Sequence, residues 1–149
     1  MKNLQDRVAI VTGSSSGVGA ATAELLASKG CRVLINYNSN EAGAQKTAAA
    51  CAAAGGETIV VKGNVAEDAD CLAMAEAALS QWGRIDILVN NAGTTKFVEH
   101  SDLDGLDAAD FQHIYGVNVV GAFQMIRAVA PAMKELDCAG AVVNVASTA

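Results

Sequence analysis

The chain has 149 residues, 52% hydrophobic and 17% charged, with a mean hydropathy of +0.28, a net charge of −6 and a pI of about 4.7. This is length enough for one domain with a real core. No run of Lys and Arg offers an electrostatic nucleic-acid footprint, no apolar stretch reaches membrane-spanning length, and the apolar run in the opening MKNLQDRVAIVTG is too short for a signal peptide.

Taken in order, the pattern alternates. RVAIVTG (7–13) is a short apolar strand ending in glycine, and GVGAATAELLASKG (17–30) is helical, with Val18, Ala21, Leu25 and Leu26 expected on the inner side and Gly30 as its C-terminal cap. CRVLINY (31–37) is a strand, and the alanine-rich stretch 40–56 is a helix stopped by Gly55 and Gly56. ETIVVKGNV (57–65) is a strand, followed by a helix over 67–83 with acidic residues in its first turn, where the helix dipole favours them. RIDILVNNAG (84–93) is a strand; a polar loop runs from Thr94 to about Asp104. One long helix is expected from near Ala108 to Lys134, crossing Gly116 and Gly121, with Pro131 able to kink it. GAVVNVAS (140–147) is a fifth strand. Strands alternating with helices imply right-handed parallel crossovers, hence one α/β domain with a doubly wound parallel sheet.

The four cysteines, Cys31, Cys51, Cys71 and Cys138, form no CxxC pair, and with two histidines no metal-ligand cluster is visible. They read as free buried thiols of a reducing cytoplasm. His100 reads as an exposed loop residue.

VTGSSSGVGAA joins the first strand to the first helix, the context a phosphate-binding glycine turn requires. Gly13 permits the sharp turn, Gly17 lets backbone approach a pyrophosphate, and Gly19 lets helix and strand pack closely. The N–H groups at the helix start, including that of Val18, face the anion, and Ser14, Ser15 and Ser16 add hydroxyl donors. Alone, such a turn is also compatible with no ligand.

The spacing G-x3-G-x-G after Thr12 resembles that of the short-chain dehydrogenase/reductase family. NNAG at 90–93, YGVNVVGAF around Asn118, and GAVVNVAS ending at Ser147 are similar to that family's later motifs, in the same order, from about Arg7 to Ser147. NYNSNE leans toward the subgroup that includes bacterial 3-oxoacyl-acyl-carrier-protein reductases. The resemblance implies a Rossmann-type domain, here strands one to five of a usually seven-stranded sheet. It also implies hydride transfer between a nicotinamide cofactor and a carbonyl or alcohol, and a homo-oligomer, usually a tetramer, in the cytoplasm, with no membrane or nucleic-acid partner. Ser147 would hydrogen-bond the substrate oxygen. Asn118 would hold a water; from the residue alone, bonding to neighbouring backbone is equally open. The resemblance puts the nucleotide against Gly13, Ser15, Ser16, Gly17, Val18, Gly19, Asn36, Tyr37, Asn38, Asn64, Val65, Asn91, Ala92 and Gly93. Asn64 stands where an aspartate is usual, and Asn90 ties the fourth strand to its neighbours.

The family's Tyr-x-x-x-Lys does not occur: the residues four places after Tyr37 and Tyr115 are Glu41 and Val119. It is expected beyond Ala149, so the 149 residues alone are expected to be inactive and to be a truncated portion of a domain. The alternative is a non-catalytic nucleotide-binding or self-associating fragment, pairing through Val119, Val120, Phe123 and Met125 of the long helix. At the end of the second strand Asn36 holds the place where a carboxylate would accept from the ribose 2′-OH and repel a 2′-phosphate. Its absence argues for NADP over NAD, with Asn36, Asn38, Ser39 and Asn40 as neutral phosphate donors.

Overall fold

The computed structural model describes residues 4–136 and 140–147; Cys138 and Thr148 lie outside them. Five strands, β1 (Val8–Val11), β2 (Arg32–Tyr37), β3 (Thr58–Lys62), β4 (Ile87–Asn90) and β5 (Ala141–Asn144), form one sheet in the order β3-β2-β1-β4-β5. All pairings are parallel, with Val8 opposite Arg32 on β2 and Ala9 opposite Ile87 on β4. Central strands of such sheets are covered on both faces, which explains why all four residues of β1 are apolar and buried. Each fully buried Val or Ile contributes roughly 1.5–3 kcal/mol.

Alternate residues of β1 to β4 serve two cores. Ala9, Val11, Val33 and Ile35 face α1 (Gly17–Ser28) and α2 (Glu41–Ala53), packing on Ala23, Ala27, Ala44 and Cys51. Val8, Ile10, Leu34 and Leu88 face α3 (Asp68–Trp82) and α5 (Gly121–Lys134), packing on Met74, Ala78, Met125 and Val129.

Helix α1 departs from expectation. Its buried side is Gly19, Ala23 and Ala27, while Val18 and Leu25 are exposed. Small side chains one turn apart let the helix lie close on the sheet, and closeness won over apolar bulk. Leu26 still packs at the margin of that core.

The long helix is present but not uniform. It comprises α4 (Ala108–Tyr115), a π-helical segment over Gly116–Val120, and α5, with Pro131 inside the last. Asp107 and Asp110 form a reciprocal capping box at its start. Lys96 Nζ reaches Asp110 at 2.6 Å, tying the loop after β4 to that start.

At the opposite end of the sheet, buried Asp86 accepts the Val8 N–H (2.9 Å) and hydrogen bonds from Arg7 (2.9 Å) and Arg84 (2.6 and 2.8 Å). Among the described residues no helix is long and apolar enough to cross a membrane, and no cluster of metal-ligating side chains occurs.

Candidate nucleotide site

The strand order reverses between β1 and β4, and a cleft of about 390 Å³ opens at their carboxyl ends. This is where open α/β sheets bind ligands. The turn after β1 is held there from two sides.

On the β4 side, Thr12 Oγ1 accepts the N–H groups of Asn91 and Ala92 at 3.0 Å. Asn91 Nδ2 donates to Thr12 O (3.0 Å) and Gly13 O (3.2 Å). The two segments touch so closely that a Cβ on Gly13, whose φ is +61°, would lie 2.8 Å from Ala92 Cα. A Cβ on Gly19 would lie 2.6 Å from Gly13 O, so that glycine seats the start of α1 against the turn.

On the β2 side, Ser14 and Asn36 are locked together. Ser14 N–H donates to Asn36 O (2.9 Å), and Asn36 N–H to Ser14 Oγ (3.0 Å), which itself donates to Val11 O (2.7 Å). Asn36 Oδ1 accepts Gly13 N–H (2.9 Å) and Nδ2 donates to Gly63 O (3.0 Å). Asn36 is 1% exposed. The expectation that it serves as a free phosphate donor is therefore corrected: it reaches the cleft wall, but both amide groups are committed to backbone. Tyr37, the next residue, packs against the core beneath α1 and α2 and is not in the cleft wall. Burial, and then Glu41 beside it, raise its phenol above the ordinary pKa.

The wall gathers Gly13, Ser15, Ser16, Asn36, Asn38, Asn64, Val65, Asn91, Ala92 and Gly93. Gly17, Val18 and Gly19 stand beside it as the first turn of α1. Ser16, the residue before that helix, makes no side-chain cap, and the first turn carries no acid. Its N–H groups thus keep the orientation that suits an anion. Asn64 is partly engaged: its N–H donates to Asp70 (2.8 Å) and its Oδ1 accepts Ala66 N–H (3.1 Å). The remaining wall includes Ser39, Asn40 and His113 and contains no carboxylate. His113 and Thr12 had no part in the sequence reading of the site, and Ser14, expected to add a hydroxyl donor, gives its hydroxyl to Val11 O instead. Thr12 was discoverable as a hydroxyl flanking Gly13; His113 was hidden by its distance in sequence.

A second cavity of about 260 Å³ adjoins the first, lined by Thr12, Asn90, Asn118 and the strand-end residues Asn144, Val145 and Ala146. Ser147, exposed, follows the last of these. Asn118 lies in the π segment, accepting Thr94 N–H (2.8 Å) and donating to Thr94 O (2.9 Å). Its side chain thus does the backbone bonding that the residue alone left open. Asn90 ties β4 to Asn144 of β5 (2.9 Å) and to Ala122 O (3.3 Å). Its Oδ1 is buried with no hydrogen-bond donor.

The sequence profile described as short chain dehydrogenase matches residues 7–149. The chain belongs to the short-chain dehydrogenase family. An uncharacterized oxidoreductase of Methylorubrum extorquens is 38% identical over 99% of this chain and 57% of its own. A 3-oxoacyl-[acyl-carrier-protein] reductase of Synechocystis is 36% identical over all of this chain and 59% of its own. The crystal structure of a short chain dehydrogenase/reductase from Burkholderia phymatum in complex with NAD superposes with a TM-score of 0.89 at 35% identity, covering 99% of this chain and 51% of that one. The chain thus spans little more than half the length of these relatives, and shows the Rossmann-like half of a short-chain dehydrogenase.

Proposed function

We propose that this chain forms the nucleotide-binding part of an NADP-dependent carbonyl reductase acting on small ketones or 3-oxoacyl thioesters. The observation that carries the reading is the cleft at the β1/β4 switch point, with its uncapped helix start and carboxylate-free wall. When bound, the nicotinamide would supply the hydride. Ser15, Ser16, Gly17, Val18 and Gly19 would hold the pyrophosphate, with Gly13 shaping the turn that presents them. Asn38, with Ser39 and Asn40, would meet the ribose, and a 2′-phosphate would find no carboxylate to repel it. Asn64, Val65, Asn91, Ala92 and Gly93 would border the adenosine. Ser147 would donate to the substrate oxygen and stabilise charge developing there. Asn118 would keep the loop at Thr94 in place beside the second cavity. The proton donor is expected to be a tyrosine with a lysine neighbour, outside the 149 residues.

The three described cysteines are free, which supports a reducing cytoplasm. Phe111, Tyr115, Val119 and Phe123 form an exposed stripe along α4, the π segment and α5, which supports a homo-oligomer, a tetramer in the family's usual manner.

The test is titration of the full-length protein with NADPH and NADH, followed by NADPH oxidation over small ketones and 3-oxoacyl thioesters. NADPH is expected to bind more tightly. Ser147→Ala is expected to lower kcat by about 10²–10³-fold with nucleotide affinity unchanged; full retention of kcat would remove Ser147 from the reaction.

A further inference from the structure

We propose that Asn36 is a positioning residue for the nucleotide, acting through the Gly13 turn and not through the ribose, and that the cofactor preference therefore does not reside at this position. The inference rests on reading the cleft as a nucleotide site.

The argument is one of hydrogen-bond supply. Asn36 has four polar groups, and all are engaged, with partners at the ends of two neighbouring strands, β1 and β3. Its N–H and C=O hold Ser14. Its Oδ1 holds Gly13 N–H at the end of β1, and its Nδ2 holds Gly63 O just past β3. The side chain thus fastens the phosphate turn to the two strands beside it, at a point 1% exposed to solvent. Gly13 N–H is consumed by this clamp and cannot serve an anion. The clamp instead fixes the path by which the chain leaves β1 and enters the Ser15–Gly19 arc, whose first-turn amides have no side-chain cap.

The clamp demands an amide. One atom must accept from Gly13 and the other must donate to Gly63. A carboxylate accepts only, so an aspartate would keep the first bond and place its second oxygen against Gly63 O. It would also be buried, and among the described residues no Lys or Arg lines the cleft beside it. An acid introduced here cannot turn outward to read a ribose without abandoning Gly13. Position 36 is thereby closed to a ribose-reading acid by the packing of the chain's own turn, and the strand itself ends one residue later, at Tyr37.

The experiment is to measure NADPH and NADH affinity of full-length wild type, Asn36→Asp and Ser14→Ala by calorimetry, with thermal melts to keep every titration well below unfolding. For Asn36→Asp both nucleotides are expected to weaken by the same factor, about tenfold, as loss of one buried hydrogen bond implies. The NADPH:NADH ratio should stay within about twofold of wild type, since both nucleotides use the same turn. Ser14→Ala removes the Oγ that accepts Asn36 N–H, and should produce a smaller loss with the same unchanged ratio. It carries the test if Asn36→Asp does not fold. A swing of the ratio toward NADH in Asn36→Asp would overturn the inference, because it would place residue 36 on the ribose. Unchanged affinity for both nucleotides in a variant that melts lower would also overturn it, leaving Asn36 a structural residue only. If wild type binds neither nucleotide, the reading of the cleft itself fails, and the inference with it.

Discussion

Gly13 is the residue with least freedom to change. It combines a φ of +61° with a backbone neighbour, Ala92 Cα, that cannot swing away as a flexible side chain would. Gly13→Ala is expected to cost about 1–3 kcal/mol through strain and to weaken nucleotide binding as the turn shifts; a denaturant melt and an NADPH titration check both. Asp86 offers a second prediction. Burial raises its pKa, but hydrogen bonds from Arg84, the Val8 N–H and Arg7 outweigh burial and hold the carboxyl below its ordinary value. A depressed folded pKa means stability that is present above the unfolded value, about 3.9, and is lost as pH falls through the folded one. Asp86→Ala should cost roughly 3 kcal/mol at pH 7 by leaving the arginines without their buried partner. It should also flatten the loss of stability below pH 4, read from urea melts at pH 7 and pH 3. These residue-scale roles were unevenly legible. Gly13 announced itself through its place after an apolar strand. Asn36 misled, because a polar residue at a strand end reads as facing ligand. Strand alternation puts it on the face of buried Leu34, and that was the available signal.

At the scale of elements, the strands and their order along the chain were legible, because each apolar run is short, β-branched and closed by glycine or polar residues. The inner face of α1 was not. Hydrophobicity pointed to Val18 and Leu25, whereas the distance to the sheet selected Gly19, Ala23 and Ala27. The π segment was also illegible, since π and α geometry draw on the same residues; it marks a functional neighbourhood more often than chance. Here it carries Asn118 to Thr94. The helices also shelter the thiols. Cys51 and Cys71, in α2 and α3, and Cys31, just before β2, are pushed up to about 11 by burial. A thiol so protonated is a poor nucleophile. Iodoacetamide at pH 8 is expected to leave these three unlabelled in the native protein and to label them after unfolding, as peptide mass mapping would show. Labelling of any of the three in the folded state would contradict the burial.

For the molecule as a whole, periodicity implied a parallel sheet, but strand order came only with the structure, since short crossovers permit several arrangements. The sheet leaves β5 with Val142 and Val143 half exposed, and α4 and α5 carry an apolar stripe of their own. Exposed apolar edges invite association. Phe123, which also lies under the Arg127 guanidinium at 5.7 Å, is the residue to change. Phe123→Asp is expected to reduce the assembly size of the full-length protein on size exclusion while leaving its NADPH affinity unaltered; an unchanged elution volume would move the interface elsewhere. The π segment bears on this surface as a phase shifter. Winding the same residues in α-geometry throughout, without the extra residue that the Gly116–Val120 turn absorbs, would turn α4 by about 100° relative to α5. Phe111 and Tyr115 would then swing out of line with Phe123, and Asn118 out of reach of Thr94. One wide turn thus takes up a single extra residue and keeps the outer face and the cleft in step.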